Sequence, residues 1–171
     1  MLGRVLTLTF TIQLFLTCSV QASPQNGSSS PSIERGRYLS TLSGCNDCHT
    51  SGFAQSNGKV PEHDWLKGDS VGFRGPWGTT YPINLRLYFA GISEDQWVTL
   101  ARSFQSRPPM PSYVLNMMEE NDLRSIYQFI TSLGKAGIPA PGYVSPDQEP
   151  NSLYIVFEPV GKSDGQVKAI Q

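Results

Sequence analysis

Cysteine and histidine are scarce in this chain, with three cysteines and two histidines in 171 residues. So few cysteines exclude a disulfide-stapled framework, and two histidines leave little material for a structural zinc cluster. Net charge is scarce too. Thirteen basic and 14 acidic residues leave a formal charge of −1, which argues against nucleic acid as a partner, because that usually demands a basic face. Long apolar runs are limited to Val5–Val20, shorter than the ~20 residues that a membrane span needs. No internal repeat is visible. What the chain does hold in quantity is loop chemistry, 16 glycines and 13 prolines, so much of it is expected to be irregular.

The apolar run sits where an export signal would. Arg4 supplies the positive start, Val5–Val20 the apolar segment, and Val20-Gln21-Ala22 small residues for cleavage after Ala22. An uncleaved membrane anchor and a lipoprotein built on Cys18 are the alternatives; Thr17 fits poorly before a lipidated cysteine. The length suits one domain. The expected division is a signal peptide at 1–22, a flexible linker at 23–31, a domain at 32–138, and a Pro-rich extended tail at 139–171. Cleavage removes Cys18, leaving Cys45 and Cys48.

Within the domain, Pro31 is expected to open a helix capped by Ser30. That helix carries Ile33, Gly36, Leu39 and Leu42 and delivers the cysteines. Thr50–Ile83 lacks any period and reads as a long loop, which is uncommon in a compact domain unless something such as a buried cofactor organises it. Asn84–Ala90 reads as a short helix. Ser93–Gln96 has the form of a capping box, followed by Trp97, Leu100, Ala101 and Phe104 at helical spacing. A last helix over Met118–Leu133 places Leu123, Ile126, Tyr127, Ile130 and Leu133 on one face, with Asn116 or Glu119 as its cap and Gly134 as its stop. Leu153–Phe157 reads as strand-like.

Cys45-Asn46-Asp47-Cys48-His49 is a C-x-x-C-H motif, the attachment pattern of haem c. Two thiols at this spacing add to the two vinyl groups of one porphyrin, and the next residue reaches the iron. Zinc would need four ligands, and His63 is the only other histidine. A dithiol redox pair would need a βαβ setting that the pattern lacks. For the second axial position, Met110 is the leading candidate, because Pro109 and Pro111 stiffen its segment and a thioether, a weak ligand, benefits from being held in advance. Met117 and Met118 read as helix-start or core residues, and His63 as a surface loop residue.

With these motifs the chain resembles the small class I bacterial cytochromes c. The likeness runs from about Ile33 to Leu133, through Arg35-Gly36-Arg37-Tyr38-Leu39 before the motif, Pro109-Met110-Pro111, and Asp122-Leu123 to Leu133. The segment Gly75-Pro76-Trp77-Gly78-Thr79-Thr80-Tyr81 with Asn84-Leu85 is also similar to haem modules of membrane-associated dehydrogenase cytochrome subunits. The resemblance implies an all-α fold in which N- and C-terminal helices cross around one haem, with long irregular loops and an extended tail. Gly36 and Tyr127 would lie near that crossing. It further implies a proline carbonyl orienting His49, from Pro61 or Pro76. Trp77, Tyr81, Arg86 and Trp97 are candidates to hold haem propionates, although the aromatics also suit core packing, and Arg74 and Arg86 alike also read as solvated surface residues.

The expectation is a periplasmic electron carrier, not an enzyme, with one covalent haem c and His49/Met110 ligation cycling between Fe(II) and Fe(III). Redox proteins, a dehydrogenase or an oxidase, would be its partners. Two other readings are a haem-bearing subunit docked to a dehydrogenase, and a haem enzyme with an open sixth position. The tail is read as a belt packed on the domain, against the alternative of a strand offered to a partner.

Overall fold

The computed structural model describes residues 30–158 and the backbone of two further strands, Val160–Ser163 and Gln166–Ala169. The expected signal peptide and cleavage site, Cys18 and most of the expected linker lie outside the described residues. Among the described residues no helix is long and apolar enough to cross a membrane.

Helix α1 (Ile33–Leu42) starts two residues later than Ser30 would place it. Ser32 is the cap, in extended conformation, and its hydroxyl accepts from the Arg35 backbone N–H at 3.1 Å. Gly44, at φ +71°, turns the chain into the short α2 (Cys45–His49), a backbone conformation that glycine adopts without cost. Asn84 caps α3 (Leu85–Phe89), and α4 (Glu94–Ser103) begins with the complete Ser93/Gln96 capping box. A short helix α5 (Ser112–Asn116) was not anticipated. The final helix, α6 (Glu120–Ser132), follows Glu119, whose extended backbone opens it without a side-chain cap, and stops before Gly134 at φ +70°.

The first and last helices pack directly on each other. Gly36 permits this: a Cβ there would lie 1.9 Å from the Ser125 carbonyl oxygen and 2.7 Å from the Phe129 Cβ. Arg35 spans the contact to both Asp122 oxygens, at 2.9 and 3.0 Å. The apolar faces of α1, α3, α4 and α6 then close one core from Leu39, Phe89, Trp97, Leu123, Ile126, Phe129 and Ile130. Burying each such side chain contributes roughly 1.5–3 kcal/mol. The Tyr127 ring lies beside Phe89, and its hydroxyl donates to the Ile92 carbonyl at 3.0 Å.

The all-α expectation does not hold. Strands β1 (Gly72–Gly75) and β2 (Gly78–Thr80) form an antiparallel hairpin, and β3 (Tyr154–Val156) from the tail adds to β1 in parallel. A second antiparallel pair joins β4 (Val160–Ser163) to β5 (Gln166–Ala169). The protein is therefore mixed α and β. β3 falls within the strand-like stretch expected over Leu153–Phe157, whereas β1 and β2 escape a periodicity search because they are three or four residues long, are bounded by Gly72, Gly75 and Gly78, and draw their further partner from far along the chain. The same sheet gives order to the stretch expected to be one long loop. The tail is a belt upon it: Val144 exchanges backbone hydrogen bonds with Thr79, and β3 pairs with β1.

Candidate cofactor site

Between the helical core, the hairpin and the tail lies a cavity of about 820 Å³, within the range that encloses a cofactor. Cys45, Cys48 and His49 line it from α2, and Met110 lines it from the Pro-rich loop. Much of the remaining wall is apolar, including Phe89, Leu100, Phe104, Leu115, Ile126 and Ile130. The α4 face accounts for two of these. Trp97 and Ala101 are buried in the core and also border the cavity, while Leu100 and Phe104 line it at about 40% exposure.

The turn that presents the motif is braced by residues inside and just after it. Asn46 is buried, and its side-chain oxygen accepts from the Thr50 hydroxyl at 2.7 Å. That hydroxyl oxygen in turn accepts from the Leu66 backbone N–H at 2.7 Å. His49 lends its own carbonyl to Gly68 N–H at 2.8 Å. The imidazole Nδ1–H donates to the Ile83 carbonyl at 2.8 Å, which fixes the ring and leaves Nε2 as the free nitrogen. Neither Pro61 nor Pro76 supplies that carbonyl; the residue after Pro82 does. Burial holds the imidazole below its ordinary pKa, opposed only by that hydrogen bond, so a neutral ring is favoured, the form that binds a metal.

Burial acts on the cysteines as well, pushing the Cys45 thiol up to about 11 and raising Cys48. Both are free. A protonated, desolvated pair is the reverse of the low-pKa thiolate that dithiol exchange requires. Among the described residues no group of three or more His, Cys, Asp or Glu is arranged to hold a bare metal ion.

Of the sulfur and nitrogen candidates for a second ligand, the cavity brings in Met110 alone. Its carbonyl is tied by the Ser106 hydroxyl at 2.6 Å and by Ser112 N–H at 2.9 Å. Met118 packs on the core and Met117 is 80% exposed. His63 is exposed beside Asp64, 3.1 Å away.

The expected propionate holders fare differently. Trp97 is on the wall, but its Nε1–H is used by the Leu123 carbonyl at 2.8 Å. Tyr81 also lines the cavity and shares a 2.7 Å hydrogen bond with the Ser152 hydroxyl. Arg86 lies off the wall, where it donates to the carbonyls of Gly134, Leu133 and His63. Trp77 packs between Gly75 and Phe157, and Arg74 holds Thr79, Gln148 and Glu149. Asn46, Thr50 and Ile83 were missed as supporting residues. Asn46 occupies a variable position of the motif and Ile83 acts through its backbone, so neither leaves a residue-type signal.

Comparison of the chain with protein-family models, curated proteins and solved structures gave no match. The functional reading therefore stands on the site itself.

Proposed function

We propose that this protein is a monohaem c-type cytochrome, exported to the periplasm, that carries single electrons between redox proteins. The observation that carries this reading is the one cavity lined by Cys45, Cys48, His49 and Met110. Its size and apolar wall fit a porphyrin, and a neutral histidine with one nitrogen fixed fits an axial ligand. Cys45 and Cys48 would hold the macrocycle as thioethers, with His49 and Met110 as the iron ligands. When bound, the haem supplies reversible one-electron transfer, at a potential that methionine ligation raises.

The chain's own part is to hold and to exclude. The Asn46–Thr50–Leu66 relay and the Ile83 carbonyl keep the motif and the imidazole in place, which limits rearrangement between redox states. Leu100, Phe104 and Leu115 keep water from the group. The Pro109-Met110-Pro111 segment presents its thioether from a stiff backbone. With His49 and Met110 both binding the iron, no open position would remain for a substrate, so the reading is a carrier and not an enzyme.

An optical spectrum of the exported protein, oxidised and reduced, with a pyridine haemochrome assay, tests haem type and attachment together. Met110→Ala should remove the weak near-infrared absorption of a Met–Fe(III) bond and lower the potential. A native spectrum that is already five-coordinate and high-spin would overturn the carrier reading in favour of a haem enzyme.

A further inference from the structure

Resting on that reading, we propose that Arg107 is the counter-ion of a haem propionate carboxylate, and that Tyr143 of the tail is the positioning residue that holds it there. Arg107 is the only lysine or arginine among the described residues of the cavity wall. It is also the one described arginine without an oxygen partner. Arg35, Arg37, Arg74, Arg102 and Arg124 pair with carboxylates, and Arg86 with three carbonyls.

What Arg107 has instead is an aromatic platform. Its guanidinium carbon lies 4.0 Å from the centroid of the Tyr143 ring. Tyr143 is itself pinned, its hydroxyl donating to the Trp77 carbonyl at 2.9 Å. A guanidinium stacked on a ring keeps its N–H donors free in its own plane, the arrangement that receives a carboxylate through two parallel hydrogen bonds. The loop on either side is anchored, by the Thr80 hydroxyl on the Pro108 carbonyl at 2.8 Å and by the Ser106 hydroxyl on the Met110 carbonyl at 2.6 Å. The ligand chemistry follows. A carboxylate entering an apolar cavity needs a paired charge, and Asp47, also on the wall, has the wrong sign. The tail then belongs to the cofactor pocket, since it supplies the surface on which the cation rests.

The test compares the haem-loaded native protein with Arg107→Gln, Arg107→Lys and Tyr143→Leu. The readouts are the propionate-bending band in resonance Raman spectra and the reduction potential. Arg107→Gln should shift the band and lower the potential, because loss of the cation favours Fe(III). Arg107→Lys should restore the potential, and Tyr143→Leu should shift the band less than Arg107→Gln. Arg107 is exposed, so these variants are expected to fold, and far-ultraviolet circular dichroism checks it. An Arg107→Gln protein with intact haem and an unshifted band and potential would overturn the inference alone. A native protein without covalent haem would overturn the underlying reading as well.

Discussion

The two sides of the cavity are built by different physics. The helical side, α1, α3, α4 and α6, is held by interior packing: Leu123 and Phe129 are fully buried, and Gly36 lets two helices touch backbone to side chain. The sheet-and-tail side is held by backbone hydrogen bonds and edge-on rings. Phe157 meets Phe73 and Trp77 there, and Leu153, Ile155 and Val156 remain exposed. The cofactor motif comes from the first side and its adjustment from the second. His49 sits at the end of the helical N-terminal segment, yet Ile83 fixes its ring, and Thr80 and Tyr143 hold the loop that carries Met110. Packing makes the protein stable, and the lighter side sets the geometry of the site.

Breaking the packed side should cost most. Leu123→Ala deletes a fully buried core side chain on the residue whose own carbonyl takes the Trp97 N–H. A loss of about 3–4 kcal/mol is expected, from transfer and cavity terms together. Equilibrium denaturation should show it as one cooperative transition moved as a whole. A variant as stable as the native protein would mean that the cavity-facing side carries more of the fold than its burial indicates.

The joint between the sides comes next. Arg86 is buried, at 7% exposure, and burial holds its pKa down, with Asp64 opposing the shift. It ties α3 to the end of α6 and to the loop at His63. Arg86→Leu leaves three carbonyls without their donor, and a cost of about 2–3 kcal/mol is expected for hydrogen bonds to a charged group. Denaturation monitored at the proposed haem and in the far ultraviolet should separate, the haem signal changing first, because the joint fails before the core does.

How legible each side was in the sequence follows the same division. Helix packing leaves a period of about 3.6 residues in the chain, so α1, α3, α4 and α6 were located to within about two residues. Gly36 announced a close approach. The motif and Met110, which line one cavity, stood out in the sequence because the chemistry proposed for them demands particular residue types at particular spacings. Of the sheet only β3 was legible, within Leu153–Phe157; β1 and β2 were not, because short strands rich in glycine have no period to read, and the pairing of β3 with β1 spans some eighty residues. Ile83, Asn46 and Arg107 were illegible for another reason. The first acts through a carbonyl, the second from a variable motif position, and the third only because Tyr143 happens to lie beneath it in space.

The smallest effect should come from the outer strand. Phe157 donates its N–H to the Arg74 carbonyl at 2.7 Å and lays its ring, half exposed, against Phe73 and Trp77. Phe157→Pro removes the donor and the ring together. Because the ring is only half buried and the hydrogen bond contributes about 1 kcal/mol net, the loss should stay local. Hydrogen exchange resolves the point. Amides of the β1–β3 pair should exchange faster while those of α6 keep native protection, as expected of a segment that opens below the global unfolding free energy. Equal loss of protection in α6 would show the two sides to be a single cooperative unit, and the division drawn between packing and adjustment would then fail.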